Sequence, residues 1–128
     1  MSVRLLLITH NLIGQELIET ATSILGDSGP PIGFISIPTS LEPCDLGACA
    51  DQVKGAIGEL ICDQGILILT DLFGATPANL AAYFAAGHKI KVVSGLNLPM
   101  LIRVLNYNEQ GLDRLAAIAI EGARTGIT

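Results

Sequence analysis

Four short apolar runs punctuate the chain, each ending at polar residues: VRLLLI at 3–8, IGFISI at 32–37, GILILT at 65–70 and IKVVS at 90–94. Such runs read as strands buried on both faces of a parallel sheet. Between them, apolar residues recur at helical spacing. Leu12, Ile13, Leu17, Ile18, Ala21 and Leu25 form one stripe, and Gly26 follows where a helix-ending glycine is expected. Val53, Ile57, Leu60 and Ile61 form a second. A third helix is predicted over 77–86, with Thr76 supplying a capping hydroxyl and Pro77 taking the first helical position. Residues 97–105 and 112–123 supply two more. Strands alternating with helices predict an α/β fold, an open parallel sheet of about four strands with helices on both faces. The one linker-like stretch, GDSGPP at 26–31, fits a turn inside a single domain spanning 1–128.

Composition narrows the function classes. Half of the 128 residues are apolar and 15% are charged, which suits one domain with a sizeable core. Seven basic residues against twelve acidic ones leave a net charge of −5, and aromatic residues are 4% with no Trp. A chain with neither a basic field nor stacking platforms is not expected to bind nucleic acid. Cys44, Cys49 and Cys62 form no CxxC pair and have no His at ligand spacing, so no zinc site or disulfide framework is expected and a reducing cytoplasm is the simplest compartment. No apolar stretch approaches the roughly 20 residues of a spanning helix. A membrane role would come only through partner components.

In an open parallel sheet, ligands bind beyond the carboxyl ends of the strands, near the point where strand order reverses. Four polar clusters fall there: Thr9-His10-Asn11, Pro38-Thr39-Ser40, Asp71-Leu72-Phe73-Gly74-Ala75-Thr76 and Gly95-Leu96-Asn97. His10 and Asp71 become neighbours if the first and third strands are adjacent. A carboxylate beside an imidazole fixes its tautomer and leaves the other ring nitrogen as a nucleophile or base. Gly74, Ala75 and Thr76 lead into a helix start, where free N–H groups and the helix dipole favour a phosphate. Imidazole, carboxylate and anion cradle together point to a phosphohistidine. With no GxxxxGK[ST] loop and no GxGxxG element, the phosphoryl donor would be another molecule.

These residues carry a family resemblance. LLLITHNLIGQELIETA (5–21), LILTDLFGATPANLA (67–81) and VVSGLNLPMLIRVL (92–105) resemble, in order, the IIA component of the mannose family of the bacterial phosphoenolpyruvate-dependent sugar phosphotransferase system. The resemblance implies a phosphotransferase component in which His10 accepts phosphate from the phosphocarrier protein HPr and passes it to a IIB component. It makes Asp71 the carboxylate that orients the ring, and Thr76 a hydroxyl beside the phosphate. Asn79 and the loop 94–99 would shape the rim. No metal or other cofactor is implied, because transfer between two positioned histidines rests on orientation and on N–H donors.

The chain departs from the family pattern in three places. Asn11 stands where a glycine is usual after the histidine, and is expected to tighten the loop or narrow partner access. Ala75 replaces the second glycine of a pair; its methyl is tolerated if φ stays negative. The chain ends at Thr128, about where family members continue into a last edge strand exchanged between subunits, so a homodimer, strand-swapped or not, stays open. No IIB domain is expected to follow. Three other functions fit parts of this pattern: a freestanding regulatory domain sensing phosphorylation state, the phosphohistidine subunit of a dihydroxyacetone kinase, and a ligand-binding module without covalent chemistry.

Overall fold

The apolar runs form the strands of one parallel sheet in the computed structural model, which describes residues 2–26, 29, 31–41 and 43–128. The elements are β1 (Arg4–His10), α1 (Ile13–Leu25), β2 (Ile32–Ile37), α2 (Pro43–Leu60), β3 (Ile66–Thr70), α3 (Thr76–Ala85), β4 (Ile90–Ser94), α4 (Leu98–Asn106) and α5 (Leu112–Thr125). Strand order is β2-β1-β3-β4, all parallel. The α/β reading therefore holds. The stretch expected to turn at 26–31 lies partly outside the described residues, as does the side chain of Cys44.

Alternation along β1 divides the core. Leu5 and Leu7 pack with Leu67, Leu69, Met100, Leu101 and Leu115, beneath α1, α4 and α5. Leu6 and Ile8 pack with Ile35, Ile66, Ile68, Val53 and Ile57, beneath α2. α3 joins this second layer through Ala81. The topology dictates the division. From β1 the chain steps to β2 on one side, then back past β1 to β3 and on to β4; right-handed crossovers in opposite directions place their helices on opposite faces. The four residues Leu5, Leu6, Leu7 and Ile8 are at most 1% exposed. At about 1.5–3 kcal/mol for each fully buried aliphatic side chain, they anchor the strand that carries His10.

Three readings of the elements shift. Leu12, Ile13 and Leu25, expected on the buried stripe of α1, are exposed. The cause lies at the β1–α1 turn, where the Gly14 N–H donates to Thr9 Oγ1 at 2.9 Å. A Cβ on Gly14 would stand 2.8 Å from that oxygen. This close approach turns Gly14, Leu17, Ile18 and Ala21 toward the sheet and leaves Leu12 and Ile13 at the rim. Ile61 lies beyond the end of α2 and is exposed, while Val53 and Ile57 are buried as expected. β1 also runs two residues past the apolar run, because Thr9 and His10 continue the ladder opposite Ser36 and Ile37.

Candidate functional site

β1 sits between β2 and β3, so the chain leaves neighbouring strands β1 and β3 in opposite directions. The crevice this opens lies at their carboxyl ends, the general ligand position of an open parallel sheet. His10 is the last residue of β1, and Asp71 immediately follows β3. The pairing expected from sequence is present. His10 Nδ1 lies 2.9 Å from Asp71 Oδ2, and the His10 backbone N–H donates to that same oxygen at 2.9 Å. Their side chains are 22% and 11% exposed.

The acceptor fixes the chemistry of the ring. An ionised carboxylate only accepts, so Nδ1 carries the hydrogen and Nε2 presents its lone pair. Two bonds from one residue onto one oxygen also restrain the imidazole, because backbone and ring are held by the same atom. Asp71 Oδ1 is buried and has no hydrogen-bond partner among the described residues.

The loop after Asp71 turns at Gly74, whose φ of +84° favours a residue without Cβ. Ala75 has φ −90° and ψ 171°, so its methyl is accommodated as expected. The expected capping by Thr76 is corrected here. Ala75 is the N-cap of α3 and no side chain caps that helix; Thr76 is its first residue and Pro77 its second. The Ala75 carbonyl already accepts the first helical bond, from the Asn79 N–H at 3.0 Å, which places Thr76 inside the helix. The absence of a side-chain cap leaves early N–H groups of α3 available to an anion.

The rim residues divide by role. Asn79 Nδ2 donates to the Gly74 carbonyl at 3.3 Å and steadies the turn. Asn97 caps α4 instead: its Oδ1 accepts from the Met100 N–H at 2.8 Å, and its Nδ2 donates to the Ala123 carbonyl. Ser94 is tied to the buried Thr70, oxygen to oxygen at 2.7 Å, joining β3 and β4 just below the site. Beside these residues runs a cavity of about 570 Å³ that includes Phe73, Gly74, Asn79, Ser94 and Arg124. His88, the other histidine, is exposed beyond the end of α3, and Cys49 is buried. Among the described residues no group of three or more His, Cys, Asp or Glu could hold a metal ion, and no helix is long and apolar enough to cross a membrane.

Sequence reasoning missed an apolar rim. Leu12 and Ile13 follow His10, and Leu72 and Phe73 follow Asp71; all four are exposed, Phe73 by 87%. The signal was present, since Leu72-Phe73 lies in a loop with no helical or strand partner to bury it.

Comparison with known proteins identifies the family. Residues 4–119 match the EIIA-man family model, described as the PTS system fructose IIA component. The chain is 26% identical over 130 residues to the PTS system mannose-specific EIIAB component of Escherichia coli strain K12, a match covering 99% of this chain and 39% of that protein. It therefore spans well under half the length of that relative. It is 38% identical over 60 residues, 46% of this chain and 41% of the other, to the PTS system fructose-specific EIIA component of Bacillus subtilis strain 168. The mannose/sorbose-specific IIA subunit of the phosphotransferase system from Enterococcus faecalis superposes with a TM-score of 0.83 at 25% identity, covering 100% of this chain and 94% of that one. With the family model matched over most of its length, this chain belongs to the EIIA-man family of phosphotransferase-system IIA components.

Proposed function

We propose that the chain, as one relay domain, accepts a phosphoryl group on His10 Nε2 from the phosphocarrier HPr and passes it to a IIB component. One observation carries the reading: Asp71 holds Nδ1–H, which leaves Nε2 as the nucleophile of a part-buried ring at the switch point of the sheet. Nε2 attacks the phosphorus of the donor's phosphohistidine. The donor's P–N bond breaks, its electron pair stays on the departing ring nitrogen, and a P–Nε2 bond forms. The ring of His10 becomes cationic while its Nδ1 proton stays on the bond to Asp71. The buried carboxylate opposes that developing charge with little solvent between them.

Gly74, Ala75 and Thr76 hold the phosphoryl oxygens in this reading. The uncapped start of α3 and the extended backbone of Ala75 support that role. Onward transfer reverses the first step. The acceptor nitrogen attacks, the P–Nε2 bond breaks, and His10 returns to its neutral, Asp71-bound form. The relay operates in the cytoplasm and reaches the membrane only through partner components, with the exposed residues Leu12, Ile13, Leu72 and Phe73 forming the contact ring for both partners. The family match does not favour a kinase subunit, a purely regulatory domain or a module without covalent chemistry.

Intact mass after incubation with phosphoenolpyruvate, enzyme I and HPr, at alkaline pH where phosphohistidine survives, tests the relay. The expected result is one acid-labile phosphoryl group on the wild type and none on a folded His10→Ala variant. Equal labelling of the two proteins would falsify the assignment of His10, and no label on the wild type with an active donor would end the relay reading.

A further inference from the structure

The loop after β2 forms the wall of the crevice opposite Asp71, because Ile37 lies directly beside His10 in the sheet and Pro38-Thr39-Ser40 follow it. One residue ties that wall to the histidine. The Asn11 backbone N–H donates to the Ile37 carbonyl at 2.9 Å. Its side-chain Oδ1 accepts from the Thr39 N–H at 3.3 Å. Among the described residues Asn11 is also the one non-glycine residue at positive φ, +47°. Asn and Asp enter this left-handed region more readily than other residues with a Cβ, because the short polar side chain bonds locally. Here that bond goes to a segment 28 residues away.

We infer that Asn11 is a positioning residue that holds the Thr39 wall at a fixed distance from His10, so that the crevice is shaped for its protein partners before they arrive. The inference rests on the relay reading above. Three features of the geometry support it. The left-handed turn at Asn11 points the chain from His10 into α1, while its two bonds on the β2 side bind the neighbouring loop. The Thr39 N–H is committed to Asn11 Oδ1, which makes this wall a scaffold; the anion-binding N–H groups lie on the α3 side. Thr39 and Ser40 are exposed, so a restrained backbone there presents both hydroxyls to an incoming protein surface. A wall set in advance reduces the ordering needed at encounter, an effect that appears in KM and leaves the bond-making step unchanged.

Asn11→Gly tests this, since glycine keeps the left-handed backbone and removes only the side-chain bond. The wild type is first shown to accept phosphate from phosphorylated HPr. Amide exchange of Thr39, followed by nuclear magnetic resonance, then reads the clamp without reference to the reaction. In Asn11→Gly its protection is expected to fall about two- to fivefold, in line with one exposed hydrogen bond. Asn11→Asp, which retains an acceptor oxygen, restores it. In transfer kinetics, Asn11→Gly raises KM for phosphorylated HPr about three- to tenfold, with kcat within about twofold of wild type. Unchanged Thr39 protection overturns the clamp. Lost protection with unchanged KM reduces it to a local structural bond and overturns its role in partner docking. A wild type that accepts no phosphate removes the relay reading, and the docking role falls with it, whatever the exchange of Thr39 shows.

Discussion

The smallest decisive feature is one carboxylate oxygen. Asp71 Oδ2 receives both the ring and the backbone of His10, while Oδ1 is buried without a partner among the described residues. Both hydrogen bonds that the described residues make to this carboxylate come from His10, so its charge faces the imidazole. Asp71→Asn isolates that contribution, because the amide keeps the size and one acceptor oxygen but loses the charge. A hydrogen bond to a charged group contributes about 1.5–3 kcal/mol, so the rate of phosphorylation by HPr is expected to fall about ten- to hundredfold. Rapid-quench measurement of label on the variant checks it. Circular dichroism should show an unchanged fold, since no packing contact is removed. A rate within twofold of wild type would mean that orientation alone, which the amide preserves, is all that Asp71 supplies.

Elements are governed by how closely they dock, and Gly14 shows the cost of changing that. A Cβ there would meet Thr9 Oγ1 at 2.8 Å and Thr9 Cγ2 at 3.3 Å. Gly14→Ala must therefore displace α1 from the strand that ends in His10, and overpacking of this kind costs about 1–3 kcal/mol. Urea unfolding should show a lower midpoint with an unchanged slope. All four strands and five helices were legible in the sequence, because a continuous apolar run and a helical stripe each have few alternative readings. What failed was subtler. Periodicity marks a stripe on α1 but not which part of it the Thr9–Gly14 contact turns inward, so the pattern alone places Leu12 and Ile13 on the buried side. Proline is compatible with either of the first helical positions, so the sequence points to Thr76 as the cap of α3, whereas the extended residue is Ala75. His10 and Asp71 could be paired from sequence because both end apolar runs. Their contact depends on β1 and β3 being adjacent, which the strand order supplies and the apolar runs alone do not. The left-handed φ of Asn11 and its bond to Thr39 had no sequence signal, because both depend on where the β2 loop passes.

At the scale of the molecule, the open sheet puts the crevice beside His10 and four exposed apolar residues at the same end. Both of the loops that carry His10 and Asp71 forward expose large side chains, Leu12 and Ile13 on one and Leu72 and Phe73 on the other. A chain with net charge −5 has a long-range field that speeds encounter with a basic surface, but that field is screened by salt and does not specify register. Apolar contacts specify register and are insensitive to salt. Phe73, 87% exposed, contributes almost nothing to the folded core and is the side chain most available to a partner. Phe73→Ala should leave the unfolding midpoint unchanged and raise KM for phosphorylated HPr about three- to tenfold, the loss expected on truncating an aromatic anchor at a protein interface. Measured at low and high ionic strength, that ratio should stay constant while the KM of both proteins rises with salt. A Phe73→Ala effect that disappears at high salt would place its contribution in the electrostatic encounter, and a stability loss above about 1 kcal/mol would place the ring in the core after all.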